Sequence, residues 1–279
     1  MRRAPGDNRK HAAANEMPTR NERWALILGA SSGFGAATAV ELSKRGWNVC
    51  GVHMDRRATI QNAHATRAAC EERGAAALFF NVNAADEEKR AEVLDALAET
   101  ARPGTVRLLL HSLAFGSMLP CVGDDAKSSL RRAQIEMTLD VMANSLVYWA
   151  QELVWRGLMA EGGRIFAMSS AGSTKAQAGY GAVSAAKAAL EAYVRQLAVE
   201  LAPRGITANT IRAGVTDTAA LRKIPGWEDI KAKAGAQNPS KRLTTPQDVA
   251  SAIALLAEPA AQWISGNVIG VDGGEDVAG

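Results

Sequence analysis

The chain has 279 residues, of which 47% are apolar and 22% are charged, and its formal net charge at pH 7 is +3. This length and composition are typical of one globular domain around a single large core. So small a charge, with no basic stripe containing interleaved aromatic residues, argues against a nucleic-acid partner. No apolar run approaches the roughly 18 residues of a membrane span, and the amino terminus has no apolar secretion signal. We therefore expect a cytoplasmic protein that does not insert into membranes.

The cysteines and histidines do not form a disulfide framework or a metal site. The three cysteines are odd in number and far apart, which predicts reduced, buried thiols. They are Cys50, Cys70 and Cys121. His53, His64 and His111 lack the paired spacing of metal ligands, so we expect no metal.

Two regions differ in organisation. Residues 1–23 are polar and have no apolar period, so they bury too little surface to offset the entropy lost on ordering. We expect a disordered arm there and one domain over residues 24–279.

Within that domain seven short apolar runs alternate with helix-length segments. The apolar runs span residues 25–28, 49–53, 77–82, 107–111, 164–168, 207–211 and 267–271. Such alternation predicts an α/β fold with a doubly wound, Rossmann-type parallel sheet of about seven strands.

A glycine-rich stretch, Leu28-Gly-Ala-Ser-Ser-Gly-Phe-Gly35, follows the first predicted strand and precedes a helix. Glycines let the backbone turn sharply and approach a pyrophosphate, while a helix amino terminus supplies free N–H groups. In this context the stretch predicts dinucleotide binding. The loop residues expected at the cofactor are Gly29, Ser31, Ser32, Gly33, Phe34 and Gly35.

The end of the second predicted strand bears on which nicotinamide cofactor is bound. The position where an NAD-binding site usually has a carboxylate holds His53, Asp55 follows two residues later, and Arg56 and Arg57 come next. Two arginines near the ribose favour a 2′-phosphate, hence NADPH. Asp55 leaves NADH possible.

The spacing Gly-x-x-x-Gly-x-Gly, with a closing Ser265-Gly-Asn-Val-Ile-Gly-Val-Asp-Gly-Gly274, resembles the short-chain dehydrogenase/reductase family over about residues 24–272. The resemblance implies the same Rossmann-type fold and places Asn81 and Val82 at the adenine edge. It implies further cofactor contacts at Ser112, Lys187, Gly214, Thr216 and Thr218.

Tyr180 and Lys187 are separated by seven residues, in the stretch YGAVSAAK. Most short-chain reductases separate these two residues by four, and here that position is Val183. On a helix, seven steps turn through about 700°, so both side chains leave the same face with Cα atoms roughly 10 Å apart. The phenol is therefore displaced by about one turn while the amine keeps its place.

The spacing Tyr-(x)6-Lys resembles the enoyl-acyl-carrier-protein reductases, a divergent branch of the same family. Three further features agree: His111-Ser-Leu after the fourth strand, Ala213-Gly214 after the sixth, and Met142 where ketoreductases carry a catalytic asparagine. The resemblance implies reduction of a carbon–carbon double bond.

The displaced phenol suits that chemistry. Hydride addition to the β-carbon of an unsaturated thioester develops negative charge on an oxygen further away than in ketone reduction. By this interpretation Tyr180 stabilises the enolate, and Lys187 holds the cofactor ribose and adds positive potential. Many relatives carry a second tyrosine where this chain has Ser170, which either donates to the substrate or satisfies backbone groups.

Residues 215–243 form the longest stretch without a strand pattern, and we expect a substrate lid there. Its basic residues suit an acidic carrier protein or simply face solvent. They are Arg222, Lys223, Lys231 and Lys233. The expected substrate is an acyl thioester on acyl carrier protein or coenzyme A, and family resemblance implies a homotetramer. A carbonyl reductase and a weakly active dinucleotide-binding regulator are the alternatives.

Overall fold

The computed structural model describes residues 22–278. Seven parallel strands form one sheet in the order β3-β2-β1-β4-β5-β6-β7. They are β1 (Trp24–Leu28), β2 (Asn48–His53), β3 (Ala77–Asn81), β4 (Val106–His111), β5 (Arg164–Ser169), β6 (Thr207–Ala213) and β7 (Val268–Val271). Each lies within two residues of a run identified in the sequence, so the predicted Rossmann-type α/β fold is confirmed.

Eight α-helices connect the described strands. They are α1 (Gly33–Lys44), α2 (Ile60–Glu71), α3 (Glu87–Thr100), α4 (Arg132–Leu139), α5 (Ser145–Trp155), α6 (Gly181–Leu201), α7 (Trp227–Gln237) and α8 (Pro246–Leu256). A π-helical turn, Asp140–Asn144, joins α4 to α5. The first helix begins at Gly33, inside the glycine-rich stretch, so the glycine loop itself contributes the first turn of the helix.

The core consists of two apolar layers, one on each face of the sheet. Successive residues of a strand point to opposite faces, so Leu26 of β1 packs in one layer and Ile27 in the other. On β4, Leu109 belongs to the first layer while Leu108 and Leu110 belong to the second. Burial on both faces explains why the strands are continuous apolar runs rather than alternating ones.

The predicted arm, residues 1–23, falls mostly outside the described residues. Arg23, at its end, places its guanidinium 4.4 Å from the centre of the Trp47 ring, in cation–π geometry. Between residues 22 and 278 no helix is both long and apolar enough to cross a membrane.

Sheet topology determines where a ligand can bind. Strand order reverses direction between β1 and β4, and the loops after those two strands diverge to opposite faces. In open parallel sheets such a switch point forms a crevice at the carboxyl ends of the strands. The glycine loop, Ser112, Ser170 and Gly214 each follow the carboxyl end of a strand, so all lie at this edge.

Trp149 offers a test of the core. It is fully buried, and its indole N–H donates to the Ala84 carbonyl at 2.8 Å. Trp149→Phe removes this bond and leaves a cavity, so the free energy of unfolding should fall by about 2–3 kcal/mol. Thermal denaturation should then show a Tm lower by about 4–10 °C. Trp155→Phe, at a side chain that is 72% exposed, is the matched control; equal shifts in both variants would contradict this account.

Candidate active site

The glycine loop is packed so closely that side chains are excluded. A Cβ on Gly29, whose φ is +91°, would lie 2.3 Å from the Ser112 carbonyl oxygen. One on Gly35 would lie 2.1 Å from the Gly29 oxygen. The side chain of Ser32, which precedes α1, makes no capping hydrogen bond, so amides of the first turn remain available to a ligand. A dinucleotide pyrophosphate fits this cradle and helix terminus.

The end of β2 carries a compact polar group. His53 Nδ1 lies 3.0 Å from Asp55 Oδ2, and burial lowers the pKa of His53. A neutral imidazole with its proton on Nδ1 donates this bond. Burial alone would raise the pKa of Asp55, but hydrogen bonds involving Thr59, Ser31 and His53 bring it below its usual value. The Asp55 carboxylate is therefore ionised and already partnered.

Asn81 and Val82, at the end of β3, hold the end of β2 and the loop that follows it. Asn81 Oδ1 accepts from the Asp55 amide at 2.8 Å, and its Nδ2 donates to the Asp55 carbonyl at 3.0 Å. Both ends of the Asn81 amide thus hold the loop after β2, and the adenine contact expected of it stays a prediction. Val82 continues the pairing with β2 through a bond from its amide to the His53 oxygen. Arg56 and Arg57 are exposed, and within residues 22–278 neither has a carboxylate partner.

Lys187 is buried in the middle of α6, with 6% of its surface exposed. Its Nζ donates to the Met168 oxygen at 2.7 Å and to the Leu113 oxygen at 3.3 Å. Burial lowers its pKa to about 8, although Glu191 acts in the opposite direction. The amine therefore sits between the ends of β4 and β5, at the edge where the crevice opens.

Tyr180 precedes α6 rather than lying inside it. Its φ and ψ are −98° and 3°, and its carbonyl accepts the first helical bond, from Ser184 at 2.8 Å. The ring packs against Gly172, where an added Cβ would lie 2.6 Å from Tyr180 Cε1 and 3.2 Å from Ser170 Oγ. The structure thus brings Tyr180 and Ser170 together beyond the end of β5.

The Tyr180 phenol and the Ser170 hydroxyl lie close together. Burial raises the pKa of Tyr180, and the Ser170 hydroxyl partly offsets this. The buried Ser170 Oγ nevertheless has no partner that meets full hydrogen-bond geometry, so we regard the contact as proximity rather than an established bond. An oxygen atom of a bound ligand, placed between the two hydroxyls, would form a hydrogen bond with each of them.

Three side chains and a glycine close the space beside Lys187. Around Gly116, a Cβ would lie 2.7 Å from Thr138 Cγ2, 2.8 Å from Val183 Cγ2 and 3.1 Å from Met142 Sδ. Met142 is 2% exposed and Val183 is 5% exposed. The two positions at which ketoreductases carry asparagine and tyrosine are thus part of one apolar floor, which we call the Met142–Val183 floor.

His111 supports this floor from behind, a role the sequence did not reveal. Its Nε2 lies 2.9 Å from Ser145 Oγ, which donates to the Val141 oxygen at 2.9 Å. That carbonyl lies within the π-helical turn that carries Met142. Burial and the nearby Lys187 charge lower the pKa of His111 to about 3, so the ring is neutral. Its motif position was visible, but its partner lies 34 residues away and could not be read from spacing.

The loop after β6 faces the glycine loop. Thr216 Oγ1 donates to the Gly214 oxygen at 3.0 Å, and the Thr218 methyl lies 3.7 Å from where a Cβ on Gly33 would be. The loop after Thr218 then forms a short 3-10 turn and α7. The predicted lid therefore begins across the crevice from the cofactor cradle.

Two of the four basic residues of the predicted lid pair with an acid of the lid itself. Asp217 accepts from Arg222 at 2.8 Å and from Lys231 at 2.6 Å, which lowers the pKa of Asp217 to about 2. Two of the four basic residues are therefore engaged in closing the lid on itself around Trp227. Lys223 and Lys233 are exposed.

One prediction on the cysteines is wrong. Cys50 and Cys70 are buried, but Cys121 is exposed, because it lies in the long loop between β4 and α4 rather than in a core element. Its sulfur approaches Gly181, where an added Cβ would lie 2.4 Å from Sγ. Within the described residues no cluster of potential metal ligands is present.

Comparisons with known proteins agree with this geometry. Residues 29–275 match the sequence profile of a family described as enoyl-(acyl carrier protein) reductase. An NADH enoyl-[acyl-carrier-protein] reductase from Nostoc sp. is 33% identical over 72% of this chain and 76% of its own length. A 3-oxoacyl-[acyl-carrier-protein] reductase from Vibrio cholerae is 30% identical over 90% of this chain and 96% of its own.

A solved structure extends the comparison to the fold. The enoyl-[acyl-carrier-protein] reductase (NADH) of Aquifex aeolicus superposes with a TM-score of 0.79 at 24% identity, covering 93% of this chain and 98% of its own. Together with the glycine cradle, the switch-point crevice and the buried lysine, these matches establish the family. The chain belongs to the short-chain dehydrogenase/reductases and is a nicotinamide-dependent oxidoreductase.

Proposed function

We propose that the protein reduces the carbon–carbon double bond of an α,β-unsaturated acyl thioester, with NADPH as the hydride donor. The observation that carries this proposal is the Met142–Val183 floor. It leaves no polar group where a ketoreductase protonates its substrate. The only phenol at this edge among the described residues is that of Tyr180, three residues before Val183 and just before α6 begins.

The chemistry follows from where each group lies. A nicotinamide bound at the glycine loop would supply a hydride for the β-carbon of the substrate, and a proton taken up at the α-carbon would complete the reduction. Tyr180 donates a hydrogen bond to the thioester oxygen and stabilises the enolate that develops there. Lys187, fixed by the Met168 and Leu113 carbonyls, holds the cofactor ribose and adds positive potential. The lid excludes water from the acyl chain.

Ketone reduction is the second candidate, because one observation favours it. Ser170 and Tyr180 lie side by side beyond β5, and together they could bind a carbonyl oxygen in an altered geometry. The similar protein from Vibrio cholerae is a 3-oxoacyl reductase by name. The substrate assay below separates the two candidates.

The first test compares two thioesters. The purified protein should oxidise NADPH, followed at 340 nm, with crotonyl-CoA and not with acetoacetyl-CoA. Tyr180→Phe should lower kcat by about 100-fold because it removes the donor to the enolate oxygen, while the KM for NADPH stays within about twofold. Tyr193→Phe, at an exposed phenol on the same helix, should have full activity. Oxidation only with acetoacetyl-CoA would refute enoyl reduction.

A pH dependence follows from Lys187. Its pKa is lowered to about 8, so the cationic form is present below that pH and is lost as the pH rises through it. Because kcat/KM for the cofactor reports the free enzyme, this quantity should fall above about pH 8. Lys187→Met should be slow and should lack this alkaline limb. An unchanged limb in that variant would assign it to another group.

Cofactor preference is testable at the end of β2. We propose that Arg56 and Arg57 bind the 2′-phosphate, since both are exposed beside the partnered Asp55. The double variant Arg56→Ser/Arg57→Ser should raise the KM for NADPH about tenfold and leave that for NADH nearly unchanged. Arg73→Ser, at the far end of α2, is the control for lost charge. A parallel rise for both cofactors would exclude a role in phosphate recognition.

The acyl group of the proposed substrate is carried by acyl carrier protein or by coenzyme A. The two similar proteins are named as acting on acyl-carrier-protein thioesters, and the exposed Lys223 and Lys233 suit an acidic carrier surface. Coenzyme A thioesters are the other substrates we expect. The homotetramer and the cytoplasmic location stay predictions from sequence.

A further inference from the structure

The chain segment after β7 folds into a tight acidic turn. Asp272 Oδ1 accepts from the Gly274 amide at 2.9 Å, and its Oδ2 accepts from the Asp276 amide at 3.0 Å. The two following acids, Glu275 and Asp276, are thereby presented toward the end of β6. We call residues 272–276 the acidic tail.

Asp276 joins the acidic tail to the loop between β5 and α6. Its carboxylate accepts from Lys175 Nζ at 2.6 Å and from Arg212 Nη1 at 3.3 Å. Arg212 also donates to Ser173 Oγ at 3.1 Å and to Glu191 at 3.3 Å. Two cations on different elements therefore converge on one carboxylate, and both reach the same loop.

That loop carries the groups assigned to the reaction. Ser173 Oγ donates to the Ser170 oxygen at 3.1 Å, and the Ser184 hydroxyl donates to the Gly172 oxygen. The Tyr180 ring rests on Gly172. A shift of residues 171–175 would therefore move the surface against which the phenol is placed.

The acidic tail also holds both ends of the lid. Both oxygens of Glu275 lie 3.1 Å from the Val215 amide, where the lid begins. Asn238, near the other end, donates from Nδ2 to the Asp272 oxygen at 2.7 Å. One short segment thus contacts the catalytic loop on one side of the crevice and the lid on the other.

The contribution of Asp276 to stability should be small. The side chains of Lys175 and Asp276 are 61% and 28% exposed, and ion pairs of this kind contribute about 0–1 kcal/mol. Arg212 keeps its bonds to Glu191 and Ser173 when Asp276 is removed. A positional role is different, because a misplacement of about 1 Å in a reacting group can cost on the order of 100-fold in rate.

We infer that Asp276 is a positioning residue for the reaction: through Lys175 and Arg212 it fixes the loop of residues 170–180, so that the Tyr180 phenol faces the substrate oxygen. This inference rests on the proposed role of Tyr180. It assigns a function in the site to a terminal acid that contacts neither the glycine loop nor Lys187.

The test combines kinetics with a measurement that needs no turnover. Asp276→Asn should lower kcat with crotonyl-CoA about tenfold, change the KM for NADPH by less than about twofold, and shift Tm by no more than about 2 °C. Hydrogen–deuterium exchange should quicken in the peptide covering residues 171–180. Asp276→Glu should recover most of the rate, and Glu99→Gln, an exposed acid on α3, should behave as wild type.

A double-mutant cycle identifies the partner. Lys175→Met should lower kcat like Asp276→Asn, and the double variant should fall little further, because both remove one interaction. Unchanged kcat in Asp276→Asn, or exchange in residues 171–180 equal to that of wild type, would overturn the inference. A wild-type protein without crotonyl-CoA turnover would instead refute the proposed function, and the exchange measurement alone would then decide whether Asp276 orders the loop.

Discussion

The buried ammonium of Lys187 is the interaction on which the geometry of the crevice depends. Removing an ammonium from water costs several kcal/mol unless its donors are satisfied. Here the donors reach Met168 on β5 and Leu113 just beyond β4, so these bonds favour the observed register of α6 on the sheet. Glu191, one turn later on α6, accepts from Ser169 at 2.6 Å and strengthens that register. Burial lowers the pKa of His111, and the same Lys187 charge lowers it further, so the ring stays neutral beneath it.

The position of Lys187 also determines which groups surround the residues just before it on the chain. Val183, one turn earlier, meets Met142 and Gly116, and a tyrosine there would need space that these groups fill. The phenol belongs instead to Tyr180, which lies just before the first residue of α6. Its ring packs against Gly172, where a side chain would leave no room for it. Met142 and Val183, which have no polar side-chain hydrogens, and Gly172 on another loop therefore jointly determine where a phenol can stand near Lys187.

Much of this could be predicted from local patterns. Apolar runs gave the strands to within two residues, because strands covered on both faces contain little else. The glycine loop was predictable because its spacing and its context agree. Contacts between distant segments were not predictable: nothing near Asn81 indicates that its amide holds the Asp55 backbone, and nothing near Lys231 indicates that it reaches Asp217, on the other side of the 3-10 turn. The contact between Asp276 of the acidic tail and Lys175 likewise could not be predicted, because the two residues are far apart in the sequence and meet only in the folded chain.

The end of β2 bears on the proposed preference for NADPH, because Asp55 lies there beside the two exposed residues Arg56 and Arg57. An unpaired Asp55 would repel a 2′-phosphate beside it. Its oxygens interact with neutral His53 and with the hydroxyls of Ser31 and Thr59, so the negative charge remains and the proposal relies on Arg56 and Arg57 to offset it. Arg56 and Arg57 face solvent, and their planar donors match phosphate oxygens. Because both ends of the Asn81 amide hold the Asp55 backbone, the two arginines follow a fixed point of the chain, and the proposed preference rests on the arrangement of three charges rather than on one acid.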